Sequence, residues 1–99
     1  MARFLLSNKA GEDLSDIWDY TFNKWSERQA DKYYDLLVNS MQHVCTNPEL
    51  GKPYRELDEN ILGFRVGTHI VFYRQINFEE IEIVRILHQT MDLKSRMNE

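Results

Sequence analysis

Ile61-Leu62-Gly63-Phe64-Arg65-Val66-Gly67-Thr68-His69-Ile70-Val71-Phe72-Tyr73-Arg74-Gln75-Ile76, followed after four residues by Ile81-Glu82-Ile83-Val84-Arg85-Ile86-Leu87-His88, decides how this chain folds. The stretch is dense in β-branched and aromatic residues and carries no helical period, so it reads as strands. Gly67-Thr68 breaks the first strand, Ile61–Val66, from the second, His69–Ile76. Asn77-Phe78-Glu79-Glu80 is a second turn, before a third strand, Ile81–His88. Turns this short join neighbouring antiparallel strands, so the three form a meander.

Upstream the period changes. Leu14, Ile17, Trp18, Thr21, Phe22 and Trp25 recur at helical spacing, which predicts a helix over 9–25 with Ser7 as its N-cap. Ser26-Glu27-Arg28-Gln29 has the capping-box pattern and opens a second helix. Its stripe is Ala30, Tyr33, Tyr34, Leu37, Val38, Met41, Val44 and Cys45, and Asn47-Pro48 stops it. Two helices joined this tightly fold back as a hairpin, and both continuous stripes are expected to face a core. Arg3–Leu6 reads as an opening strand, Thr46–Asn60 as a structured surface loop, and Asp92–Met97 as a short helix with Asp92 at its cap. The fold class is therefore α+β in the order βααβββα: an antiparallel sheet with an N-terminal strand, a helical hairpin on one face and a short C-terminal helix. Nothing left in the chain is expected to cover the other face, which makes that face the place to look for function.

Ninety-nine residues make one domain, 1–99. Phe4-Leu5-Leu6 is too short for a signal-peptide core, and no apolar run reaches transmembrane length. The single cysteine, Cys45, lies within a helical apolar stripe, where a buried small hydrophobe in a reducing compartment is the reading. These features place the protein in the cytoplasm, without a membrane partner. The formal net charge is −4. Residues 1–60 hold seven Lys/Arg against eleven Asp/Glu, whereas residues 61–99 hold five of each. A surface that lives on phosphate backbones is usually basic, so nucleic acid is a poor direct partner.

No metal site or cofactor motif stands out. His43, His69 and His88 are far apart in sequence, and no Cys or carboxylate lies at ligand spacing to them. There is no phosphate-binding glycine loop, nucleophile elbow or cysteine-protease signature. Glu12, Asp13, Asp16 and Asp19 read as a solvated outer face of the first helix. The arginines are more informative, because Arg65, Arg74 and Arg85 each interrupt an apolar strand. An arginine so placed pairs with a carboxylate, a phosphate or a partner's backbone. It can also snorkel at the core's edge toward Glu79, Glu80 or Glu82. On a regular strand Arg85 shares a face with Ile81, Ile83 and Leu87, and His88 points to the opposite face. His88 is read as a structural or partner-contact histidine ahead of a catalytic one.

The segments Gly63–Arg74 and Val84-Arg85-Ile86-Leu87-His88-Gln89-Thr90-Met91-Asp92, with the loop Asn47–Pro53 and the opening Leu6-Ser7, resemble the ParE branch of the RelE/ParE toxin superfamily. The resemblance covers nearly the whole chain. It implies the toxin of a toxin–antitoxin pair that poisons DNA gyrase by trapping it on cleaved DNA, with no catalytic residue of its own. It also implies a ParD-type antitoxin whose flexible segment folds around the toxin, in a hetero-oligomer that meets nucleic acid only through antitoxin or gyrase. The RelE branch instead cleaves messenger RNA on the ribosome with basic residues and a C-terminal tyrosine or histidine. No tyrosine follows Tyr73, and the acidic balance is unlike a ribosome-bound nuclease, while His88 keeps that alternative open. For target inhibition the expected residues are Arg65, Arg85, His88, Met91 and Asp92, where charge and exposed apolar groups coincide. For antitoxin contact they are Trp25, Tyr33, Tyr73 and Arg74, since aromatics and arginines dominate such interfaces. Trp25 and Tyr33 also lie on the helical stripes, where core packing is the other reading.

Overall fold

Each helix begins where a side-chain oxygen takes up a backbone N–H that has no partner within the helix. Ser7 Oγ accepts from Ala10 N at 3.0 Å, Ser26 Oγ from Gln29 N at 3.0 Å, and Asp92 Oδ1 from Ser95 N at 3.3 Å. The computed structural model describes residues 2–98. In chain order it contains β1 (Arg3–Leu6), α1 (Asn8–Lys24), α2 (Glu27–Thr46), β2 (Lys52–Pro53), β3 (Leu62–Val66), β4 (His69–Asn77), β5 (Glu80–His88) and α3 (Leu93–Met97). The expected order βααβββα holds, with one addition. The segment between α2 and β3 contains a 3-10 turn at Pro48–Leu50 and the two-residue strand β2, too short to leave a period in the sequence.

The strands line up as β1-β5-β4-β3-β2. All neighbours are antiparallel except β1, which runs parallel to β5 with Phe4 opposite Ile81 and Leu6 opposite Ile83. The sheet is thus mixed. The helical hairpin carries the chain from β1 to the far edge at β2, and the meander returns it to β5 beside β1, which gives the parallel pair the long connection it requires.

One face of the sheet carries the main core: Leu14, Leu37, Met41, Val44 and Cys45 from the helices against Val66, Val71, Tyr73, Ile81, Ile83 and Ile86. The other face was expected to lie open, and over part of its area it does not. Ile61, Ile70, Phe72 and Leu87 form a second, smaller core there, covered by Tyr54 and Leu57 of the long loop and by Leu93 and Met97 of α3. A stretch without period still supplied two apolar side chains, and the five-residue helix supplied two more.

Three further expectations are corrected. The stripe of α1 does not face a core along its whole length: Leu14 is buried and Ile17 packs on the main core, but Phe22 and Trp25, toward the tip of the hairpin, are exposed. Tyr73 offers nothing to a partner. It is fully buried, its hydroxyl donating to the Pro48 carbonyl and accepting from Gly51 N at 2.9 Å, and burial raises its pKa. Nor is β5 regular. Phe72 pairs with Arg85 but Tyr73 with Ile83, so Val84 is an extra residue that shifts the alternation. Ile81, Ile83 and Ile86 therefore join the main core, while Leu87 joins the second one.

Candidate functional site

A groove of about 460 Å³ opens between the outer end of the helical hairpin and the end of the sheet where β3, β4 and β5 meet. Ile17, Ile86 and Leu87 contribute apolar surface to it; Tyr20, Trp25, Tyr33 and Met91 supply larger side chains; His69, His88, Arg85 and Arg96 supply nitrogen. Tyr20 and Trp25 are 62% and 69% exposed, far more than aromatic residues need to be in a chain with cores to fill.

The β3–β4 turn sets one wall. Gly67 has φ +57°, and a Cβ there would lie 2.9 Å from the Tyr33 hydroxyl, so backbone conformation and space both call for glycine. The close approach lets Tyr33 Oη accept from Thr68 N at 3.3 Å, lie 3.3 Å from the Val66 carbonyl and stand 2.7 Å from His69 Nδ1. His69 faces His88 across the β4–β5 ladder, with ring centroids 5.2 Å apart and nearly perpendicular planes. Burial, and secondarily repulsion from His88, lowers the His69 pKa to about 4 against a partial opposing pull from Asp13, so the ring is neutral at physiological pH. His88 Nδ1 accepts from Thr90 N at 3.1 Å, with Thr90 Oγ1 at 2.7 Å, which leaves its proton on Nε2 when neutral.

Arg85 forms the other wall. β1 ends at Leu6, so on that side β5 has no strand neighbour beyond Ile83, and Ser7 takes over the edge: Ser7 N donates to the Ile83 carbonyl at 3.0 Å and Ser7 Oγ to the Val84 carbonyl at 2.7 Å. There the side chain of Asp13, one and a half turns into α1, reaches β5. It accepts from Arg85 Nε at 2.8 Å, Arg85 Nη2 at 2.9 Å and Ile86 N at 3.0 Å. Both side chains are largely buried, at 7% and 13% exposure. Asp13 is therefore not part of a solvated acidic face, and the fork of Arg85 is held by this carboxylate of α1.

The groove gathers residues that the sequence assigned to two separate tasks: Trp25, Tyr33, Arg85, His88 and Met91. It excludes the others. Arg65 is exposed and bonds Gln89. Asp92 is engaged as the cap of α3. Arg74 lies toward the far end of β4, with Nε 2.8 Å from Glu82. His69 was not singled out for a role, although a signal existed: counting back from the β4–β5 turn places it opposite His88, because the extra residue Val84 on β5 is balanced by Ile76 on β4. No cluster of three or more metal-ligating side chains occurs among the described residues.

The sequence profile of the ParE toxin of type II toxin–antitoxin systems matches residues 4–93. The chain belongs to the ParE toxin family. Toxin ParE1 of Mycobacterium tuberculosis is 35% identical over 92 residues, covering 93% of this chain and 94% of that protein. Toxin ParE1 of Caulobacter vibrioides is 36% identical over 101 residues, covering 98% and 99%. Among solved structures, the chromosomal ParDE toxin–antitoxin system from P. aeruginosa superposes with a TM-score of 0.76 at 19% identity, over 89% of this chain and 96% of that one. The RelBE2 toxin–antitoxin complex of Mycobacterium tuberculosis superposes at 0.61 with 21% identity, over 88% and 96%. At such identities the structures speak for the fold, whereas the sequence relatives carry the family. This ParE-family toxin thus shares its architecture with chains of both toxin–antitoxin structures. No helix among the described residues is long and apolar enough to cross a membrane.

Proposed function

We propose that this toxin acts in the cytoplasm by binding DNA gyrase and holding it on cleaved DNA, that a ParD-type antitoxin neutralises it, and that the groove is the surface both reactions use. The observation that carries this reading is a contrast within the groove. Tyr20 and Trp25 are exposed, while the groups a phosphodiester-cleaving enzyme would deploy are already committed. Arg85 is held by Asp13, His88 Nδ1 accepts from the Thr90 backbone, and the proton affinity of His69 is low. Exposed Trp, Tyr and Met beside a buried Arg is the composition of a protein-binding surface. An inhibitor of this kind needs no chemistry of its own, since preferential binding to one state of another enzyme shifts that enzyme's population. A disordered antitoxin segment suits a shallow apolar groove, because it folds as it binds. The resulting assembly is a toxin–antitoxin hetero-oligomer.

The test is to add purified toxin to gyrase, supercoiled plasmid and ATP, then treat with detergent and protease. Linear plasmid should accumulate and should be suppressed by the cognate antitoxin. No linear DNA from a preparation that still binds its antitoxin would move the reading to ribosome-dependent RNA cleavage, for which the paired His69 and His88 are the groups to mutate.

A further inference from the structure

Arg85 was expected to touch the target directly, but its hydrogen bonds run elsewhere. Two of its nitrogens hold the Asp13 carboxylate of α1 in a two-pronged pair, and the third, Nη1, donates to the backbone carbonyl of Arg96 in the last turn of α3. The side chain therefore spans three elements: the first helix, the last strand and the terminal helix. Only 6% of the residue is exposed.

A helix of five residues does not hold its shape alone, because nucleation costs more than so few hydrogen bonds return. α3 is kept in place by the Asp92 cap at its start, by Leu93 and Met97 against the second core, and by the Arg85 guanidinium at its end. A cation against the last carbonyls of a helix is favourable both as a hydrogen bond and as a match to the helix dipole. The geometry points to Arg85 as a positioning residue: oriented by Asp13, it fixes the terminal segment from Gln89 to Met97 in the conformation in which Met91 lines the groove and inhibits the target. The arginine acts through the segment and does not itself meet gyrase. This inference rests on the gyrase reading for its consequence, but not for its structural part.

Arg85→Lys is the discriminating variant. A lysine keeps a cation for Asp13 but has no planar fork to reach the carboxylate and the Arg96 carbonyl together. Trypsin cleavage after Lys94 and Arg96, followed by mass spectrometry, reads the order of α3 directly. The expected result is cleavage at least tenfold faster in Arg85→Lys than in wild type, with an unchanged folded-state circular dichroism spectrum. Gyrase inhibition should fall at least tenfold, and antitoxin affinity should fall with it, because the groove that Met91 lines serves both partners. Should Arg85→Lys fail to fold, Asp13→Glu, which keeps the charge but displaces the fork, is judged by the same two readouts. Unchanged cleavage after Lys94 and Arg96 would overturn the positioning role. So would faster cleavage together with full gyrase inhibition. If wild-type toxin leaves gyrase untouched, the gyrase reading fails by itself, and the tryptic rates alone decide whether Arg85 holds α3.

Discussion

The two faces of the sheet bury apolar groups on very different scales. The helix-covered face packs a dozen buried side chains from every long element, whereas the opposite face packs four, under a loop and a helix of five residues. The first is a core in the ordinary sense. The second is closer to a clasp that holds the end of the chain against the sheet, next to the groove. The difference teaches where stability and function part company: the large core sets whether the protein folds, and the small one sets what the groove looks like.

Damage to each face should differ accordingly. Leu37→Ala, at a fully buried site of the large core, is expected to cost about 4 kcal/mol, read as a lower denaturant midpoint. Truncation after Gln89 removes Leu93 and Met97 from the small core and should cost about 2 kcal/mol, since both are only partly buried. It should abolish gyrase inhibition while the fold persists. Equal losses of stability from the two changes would erase the distinction between core and clasp.

Acid should act on the groove next. The His69 pKa is about 4 in the folded protein, below its ordinary 6.5, so the unfolded chain binds the extra proton first as pH falls. Its contribution is fully present above about pH 6.5 and is lost as pH drops toward 4. Melting temperature should decline across that window more steeply in wild type than in His69→Gln, and parallel profiles would show that His69 does not carry the effect. The smallest effect on stability is expected at the rim. Trp25→Ala should change it by no more than about 0.5 kcal/mol, because the side chain is 69% exposed. Antitoxin affinity measured by calorimetry should nonetheless fall at least tenfold, as for an interface anchor.

Much of the large core was legible in the sequence, and little of the clasp. Helical spacing in 30–45 and β-rich runs in 61–88 are long, repeated signals, and both give the right elements, while the caps Ser7, Ser26 and Asp92 follow from their own side chains. Tyr54 and Leu57 lie in a loop without period, so nothing local announces that they cover Phe72. The same limit explains the site. Trp25 was readable as either a core or a contact residue, because helical spacing says which residues share a stripe but not how far the sheet extends beneath it. Arg85 was noticed as an unusual arginine, yet its partner Asp13 is 72 positions away and resembles its solvated acidic neighbours. A bulge at Val84 cannot be seen in residue types that fit a regular strand. Tyr73 was misplaced for the converse reason: a tyrosine on a strand reads as amphipathic until its hydroxyl is found bonded inside.

The central claim, that the groove is the working surface, is tested most directly by amide hydrogen exchange on the toxin with and without its antitoxin. Protection is predicted in the second half of α1, in the Val66–His69 turn and from Gln89 to Met91, the segments that border the groove. Protection confined to β1 and the β4–β5 turn, with the groove segments exchanging as in the free toxin, would contradict it.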